Sequence, residues 1–364
     1  MGKLGILLCV GSASIFWGLA GCSSNDNGGS AAVGGTVAAT SGGGANLGGQ
    51  NGGGTGPQVN VGPPCTPDGP NLTSLPASST IATPASSWAM QAVTVNGSDV
   101  YYLDHNKGVY RITGGSGTPT LIVPAPTDST VGHTMAGGIL KTDGTYVYFA
   151  QDKSLYRSSL ASPSAELLVA ANSAITQVEI DASYVYYIVS TESTLNRIAV
   201  TGGSPEVLVA SAESVQSLQL VNGTIYFVGF NAEKVGRLPA SGGSIEWLTS
   251  ADMASEAVAV SATTVYFSRW EVLYSQPIGS PNQTTELGSA GPGMPYTADF
   301  NAAKLVNDRI YWFDSGDNVG WTKTDGSQCG LLIKSNTSES VRDIAITNDA
   351  VYVCLSDSLR KLPR

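Results

Sequence analysis

Seven copies of one short apolar segment, each centred on a tyrosine, constrain this chain more than any other feature. They read Val100-Tyr101-Tyr102, Val147-Tyr148-Phe149, Val185-Tyr186-Tyr187, Ile225-Tyr226-Phe227, Val265-Tyr266-Phe267, Ile310-Tyr311-Trp312 and Val351-Tyr352-Val353. The central tyrosines are 47, 38, 40, 40, 45 and 41 residues apart. A hairpin turn precedes each copy, as at Asn96-Gly97, Asp143-Gly144 and Asn222-Gly223. Such pairs tolerate the positive φ that tight β-hairpins need. An alternating strand precedes the turn, as in Ala92-Val93-Thr94-Val95. A third strand follows the tyrosine, with Arg111, Arg157, Arg197, Arg237 and Arg360 forming a basic column. Gly-Gly-Ser or Asp-Gly-Ser turns then lead to a fourth strand, such as Leu121-Ile122-Val123.

Four short antiparallel strands every 40 residues or so describe the blade of a β-propeller. The expected fold is therefore all-β, with seven four-stranded blades and six as the alternative count. The seventh copy ends at Arg364 without a fourth strand. Thr80-Ile81-Ala82 stands in fourth-strand phase ahead of the first blade, so an N-terminal strand is expected to close the last one. The tyrosine column is expected to pack between blades. Ala165 to Ala171 has helical propensity, but its phase assigns it to a fourth strand.

The sixth copy carries a family resemblance. Ile310-Tyr311-Trp312-Phe313-Asp314, then Thr324-Asp325-Gly326-Ser327, then Leu331-Leu332-Ile333, resembles a YWTD repeat of the low-density-lipoprotein-receptor type. The resemblance covers about residues 89–364 in layout. It implies a propeller, although that family has six blades where seven are counted here.

The first 21 residues read as a signal peptide. Lys3 precedes an apolar run from Leu4 to Leu19, shorter than the ~20 residues of a membrane-spanning helix. Leu19-Ala20-Gly21-Cys22 resembles the bacterial lipobox, which implies lipidation of Cys22 and attachment to the membrane. One acyl chain binds reversibly, while two or more hold stably. Ser23 points to the outer membrane of the cell envelope, periplasmic or surface-exposed. Residues 22–64 then read as the lipidated cysteine and a Gly-rich tether. It has 14 Gly from 23 to 64 and one charge, Asp26, and as a flexible coil it reaches roughly 35 Å. The propeller domain is assigned to 65–364.

Five cysteines are present. Cys9 leaves with the signal and Cys22 takes lipid. Cys354 sits in a second strand, where a buried thiol is expected. Cys65 precedes the closing strand and Cys329 lies at the outside of the neighbouring sixth blade, so a Cys65–Cys329 disulfide is expected in an exported protein.

Composition excludes more chemistry than it suggests. With 18 Lys+Arg against 28 Asp+Glu and a net charge of −10, no basic surface for nucleic acid is available. No zinc-protease, paired-cysteine or nucleophile-elbow motif occurs. The Gly-Gly-Ser segments are hairpin turns rather than phosphate loops. No catalytic residue, cofactor or metal ligand is assigned; Asp314 to Asn318 could donate oxygens to calcium but reads first as a turn. Loops on a rigid scaffold carry function. By phase, His105, His133, Trp270, Glu271, Tyr296, Asp299, Phe300, Asp314 and Asp317 share one end of the ring, with both histidines expected to be solvated. That end is the candidate binding face.

The sequence therefore points to a monomeric, lipid-anchored propeller that binds an envelope protein or glycan and is not an enzyme. The alternatives are a calcium-dependent lactonase-like hydrolase or quinone-dependent dehydrogenase, and an outer-membrane assembly factor. Few charges are expected near the inner strands, which argues against a catalytic channel.

Overall fold

Each tyrosine copy forms the second strand of a four-stranded antiparallel sheet, and there are seven such sheets. The computed structural model describes residues 60–61, 75–84, 86–126, 138–250, 257–269, 272–281, 283–289, 300–334 and 339–364. Blades one to six span 90–124, 140–170, 175–209, 215–247, 258–289 and 300–333. Blade seven takes three strands from 341–363 and its fourth from Thr80–Ala82. The blades form a β-propeller of seven, not six, and all lie in one compact unit spanning 54–364. Residues Glu166–Ala170 form a strand, so position in the sheet overrides helical propensity there.

The hairpins close as their residues dictate. Asn222 and Gly223 have φ of 49° and 72°, the pair of left-handed residues that a type I′ turn requires. In the third blade's turn, which has no glycine, Asp181 Oδ1 accepts from the backbone N–H of Ser183 and Tyr184, both at 2.7 Å. An Asx turn thereby satisfies the donors that the turn frees.

The core is divided among the gaps between blades. One apolar cluster fills the gaps from blade one to three, and five more fill the remaining gaps, including seven to one. All seven central tyrosines are buried in these clusters. Phe149, Phe227 and Phe267, one residue further on, have no exposed surface. Each contributes about 1.5–3 kcal/mol by leaving water. Burial, followed by the Asp143 carboxylate, pushes the Tyr148 hydroxyl up to about 12. It therefore stays protonated and donates to Asp143 Oδ2 at 3.3 Å.

The ring closes as expected. Thr80 pairs with Arg360 and Ala82 with Leu359 in antiparallel register. Arg360 bonds the Thr80 hydroxyl and, at 3.4 Å, that of Ser79. Lys361 Nζ donates to Gly115 O of blade one at 3.2 Å. Gly115 has φ of 66°, and a Cβ there would lie 2.3 Å from the Tyr352 hydroxyl. Only glycine allows blade one to approach blade seven that closely.

Two details depart from the sequence reading. The basic column in blade seven is held by Lys361, which pairs with Tyr352, whereas Arg360 pairs with Val353. In addition, Asn60–Val61, assigned to the tether, pairs in parallel with Thr285 and Glu286 on the outer strand of blade five.

Candidate functional site

The first strands of the blades surround a central cavity of about 310 Å³. Their register fixes what faces it. The positions opposite the seven central tyrosines hold Thr94, Lys141, Glu179, Gln219, Ala259, Lys304 and Ala345. All but Ala259 line the cavity. The second strands repeat their residue types around the ring, but this inner column does not.

The cavity carries more charge than the sequence reading expected. Lys141 of blade two pairs with Glu179 of blade three at 2.7 Å. Lys304 of blade six pairs with Asp343 of blade seven at 2.9 Å. The Asp343 side chain is only 1% exposed and also accepts from the backbone N–H of Val93 and Ile344. These donors offset the cost of burying the carboxylate. The two pairs cancel in charge and tie neighbouring blades at the axis. Between them, the amide oxygens of Gln177 and Gln219 are buried and have no hydrogen-bond donor among the described residues. Each such orphan acceptor costs about 1–3 kcal/mol. None of these residues was singled out from the sequence, where they read as ordinary polar positions of alternating strands. The available signal was their place opposite each repeat tyrosine.

The candidate binding face is the end that carries the loops between second and third strands and the connections between blades. His133, Trp270, Glu271, Tyr296 and Asp299 lie outside the described residues, as do Cys22 and Cys65. The others are placed and largely enclosed. His105 is 5% exposed rather than solvated. Its N–H donates to Ala89 O at 2.7 Å, and its carbonyl accepts from Gln151 Nε2 at 2.6 Å. Phe300 meets Trp312 edge-to-face, with centroids 5.1 Å apart. Asp314 is buried and accepts from both the backbone and the side-chain amide of Asn318. Asp317, with φ of 62°, accepts from Val341 N at 2.8 Å. Burial raises both carboxyls above their ordinary value, against the lowering effect of those hydrogen bonds. Both side chains serve to close loops. Among the described residues, no group of three or more His, Cys, Asp or Glu is placed to hold a metal ion.

Trp88, which the sequence reading passed over, stands out on this end. It has φ of 63°, a region that costs a bulky residue about 1–3 kcal/mol. Its backbone N–H donates to Asp357 Oδ1 at 2.6 Å, and its carbonyl accepts from Gln91 Nε2 at 3.1 Å. The ring lies over the guanidinium of Arg342 at 5.3 Å, yet the residue remains 42% exposed.

Of the two remaining cysteines, Cys354 is a free, fully buried thiol, and burial holds it well above its ordinary pKa. Cys329 begins the outer strand of blade six and is disulfide-bonded; its partner lies outside the described residues. No described helix is long and apolar enough to cross a membrane.

No protein-family model and no curated protein matches the chain. Solved structures do. Virginiamycin B lyase from Staphylococcus aureus is similar with a TM-score of 0.62 at 14% identity, over 81% of this chain and 97% of that one. The WD40 repeats of RRP9 are similar with a TM-score of 0.60 at 12% identity, over 81% and 99%. BamB from Moraxella catarrhalis is similar with a TM-score of 0.50 at 10% identity, over 75% and 84%. At these identities the likeness establishes the propeller fold alone.

Proposed function

We propose that the chain is a lipid-anchored envelope protein whose propeller is a binding module for a protein or glycan. The observation that carries this is the inner column. The repeat holds residue type nearly constant wherever the blade must pack, and abandons it at the cavity. Thr94, Lys141, Glu179, Gln219 and Lys304 put four residue types at one structural position, and Ala259 and Ala345 add a fifth. Packing alone would have tolerated one solution repeated seven times. The unsatisfied oxygens of Gln177 and Gln219 support the same reading, since a ligand donor removes their desolvation cost. Anchoring rests on the lipobox at Cys22, with the outer membrane as the proposed location and a Cys65–Cys329 bond at the start of the ring.

The test is affinity capture from detergent-solubilised envelopes. Wild-type protein should retain a specific protein or glycan, and Gln219→Leu with Lys141→Met should weaken retention while leaving the fold intact by circular dichroism. Labelled palmitate should enter the wild type and be lost in Cys22→Ala. Equal retention by the channel variants would remove the cavity from the site, and unlabelled wild type would remove the anchor.

A further inference from the structure

Trp88 occupies a backbone conformation that glycine adopts freely and tryptophan resists. Strain of this kind persists only where surrounding contacts enforce it. Here Asp357 and Gln91 grip the two backbone polar groups, and Arg342, itself 3% exposed, supports one face of the ring. These contacts do not bury the indole. They fix its direction while much of it faces solvent, so core packing does not explain the strain. A rigid, exposed aromatic loses little side-chain freedom when a partner closes over it.

A second exposed aromatic stands on the same end. Phe230, 48% exposed, sits in the loop between the second and third strands of blade four. Its N–H donates to Ser214 O at 3.0 Å, and its carbonyl accepts from Glu233 N at 3.1 Å. Trp88 lies at the junction of blades seven and one, so the two aromatics belong to opposite sectors of a seven-bladed ring. A sugar ring stacks on one aromatic at a time. A surface that covers both must span the mouth of the ring. Glu213 and Glu233 flank Phe230 and Asp357 holds Trp88, three acids against Lys234 and Arg342, of which Arg342 is buried beneath the indole.

We propose that this end of the propeller docks a protein, with Trp88 as the principal anchor and Phe230 as the second. The partner presents apolar sockets within a basic rim. This rests on the binding-module reading above and names the partner's class.

The test uses the full lipid-anchored chain as bait against detergent-solubilised envelope proteins, comparing wild type with Trp88→Gly and Phe230→Ala. Glycine suits φ of 63°, so Trp88→Gly should melt no lower than wild type while retaining about ten-fold less of the captured protein, or lower still. Phe230→Ala should lose less, and added salt should weaken capture by the wild type. A captured protein retained equally by wild type and Trp88→Gly overturns the anchor. Capture of a protease-resistant glycan in place of a protein overturns the partner class. A wild type that captures nothing overturns the binding-module reading itself.

Discussion

Blades two, three and four carry the same staple, while blades five, six and seven have Ser275, Trp321 and Lys361 at that register. In the first group Arg157, Arg197 and Arg237 each bond a glutamate nine residues on, Glu166, Glu206 and Glu246. Arg157 and Arg197 also reach into the next blade, donating to the carbonyls of Val200 and Ala240. Arg197 lies over the Tyr184 ring at 4.5 Å as well. In the second group the fastening comes from elsewhere. Asn60–Val61 is added to the edge of blade five, and Thr80–Ala82 completes blade seven. Arg364, the last residue, donates to the Tyr311 hydroxyl at 2.9 Å. Blades two to four are held by a repeated side-chain device, and blades five to seven by the N-terminal segments and Arg364. The same fold thus tolerates two ways of joining blades, because the apolar clusters in the gaps do most of the holding in both.

The largest test of this contrast removes the closing segment. Deleting residues 75–84 should abolish cooperative unfolding followed by circular dichroism, whereas deleting 1–59 should leave the melting temperature within about 2 °C of the full chain. A 75–84 deletion that melts like wild type would mean that blade seven needs no fourth strand.

Next in size are substitutions that should act alike in both halves. A Cβ at Gly320 of blade six would lie 2.4 Å from Trp312, and one at Gly236 of blade four 2.6 Å from Phe227. Trp312 cannot easily yield, since its Nε1 donates to Thr322 Oγ1 at 3.2 Å. Gly320→Val and Gly236→Val should each cost about 1–3 kcal/mol in urea unfolding. A large difference between them would show that the two halves are also packed differently.

The staple itself should matter less, and unequally. Arg197→Ala loses the carbonyl bond and the stacking, and should cost about 1–2 kcal/mol. Glu206, with a side chain 58% exposed, should cost below about 0.5 kcal/mol on change to Ala. Equal losses would assign the stabilisation to the ion pair.

The smallest effect is a difference in the sign of pH dependence. The Arg157 guanidinium lowers the Glu166 carboxyl, chiefly through its hydrogen bond. That stabilisation is present above the unfolded value and is lost as pH falls through the folded one. Burial raises Asp314, so its ionised form carries a cost that protonation relieves as pH falls through its raised value. Between pH 7 and 3, wild type should lose stability relative to Glu166→Gln and gain it relative to Asp314→Asn. Parallel slopes in guanidinium titrations would contradict this assignment.

The blade count and the closing strand were legible because turn residues and two-residue alternation are local signals. The column in blade seven was misplaced because the second-to-third-strand loop varies in length: Tyr186 pairs 11 residues on with Arg197, but Tyr352 pairs nine on with Lys361. His105 looked solvated because a polar loop residue shows no sign of burial when a neighbouring blade, here through Gln151, closes over it. The inner column was invisible for a related reason. Lys141 and Glu179 are 38 residues apart, and only the circular arrangement makes them neighbours. Trp88 lies outside the repeat, where no period points to it.

The seam of the ring has a consequence in time. Thr80 and Arg360, 280 residues apart, are among the first and last parts of this ring to leave the ribosome. Closing a loop of that length costs roughly 3 kcal/mol more than closing one of ten residues. Throughout synthesis the early strand Thr80–Ala82 has nothing to pair with until the third strand of blade seven, Leu359–Pro363, emerges. Six blades can assemble in order, each on the last, but the circle waits for the residues of Leu359–Pro363. Until they arrive the chain is an open arc with two unpaired sheet edges, the form most exposed to aggregation and proteolysis. Loss of Leu359–Pro363 alone would hold the molecule in that state.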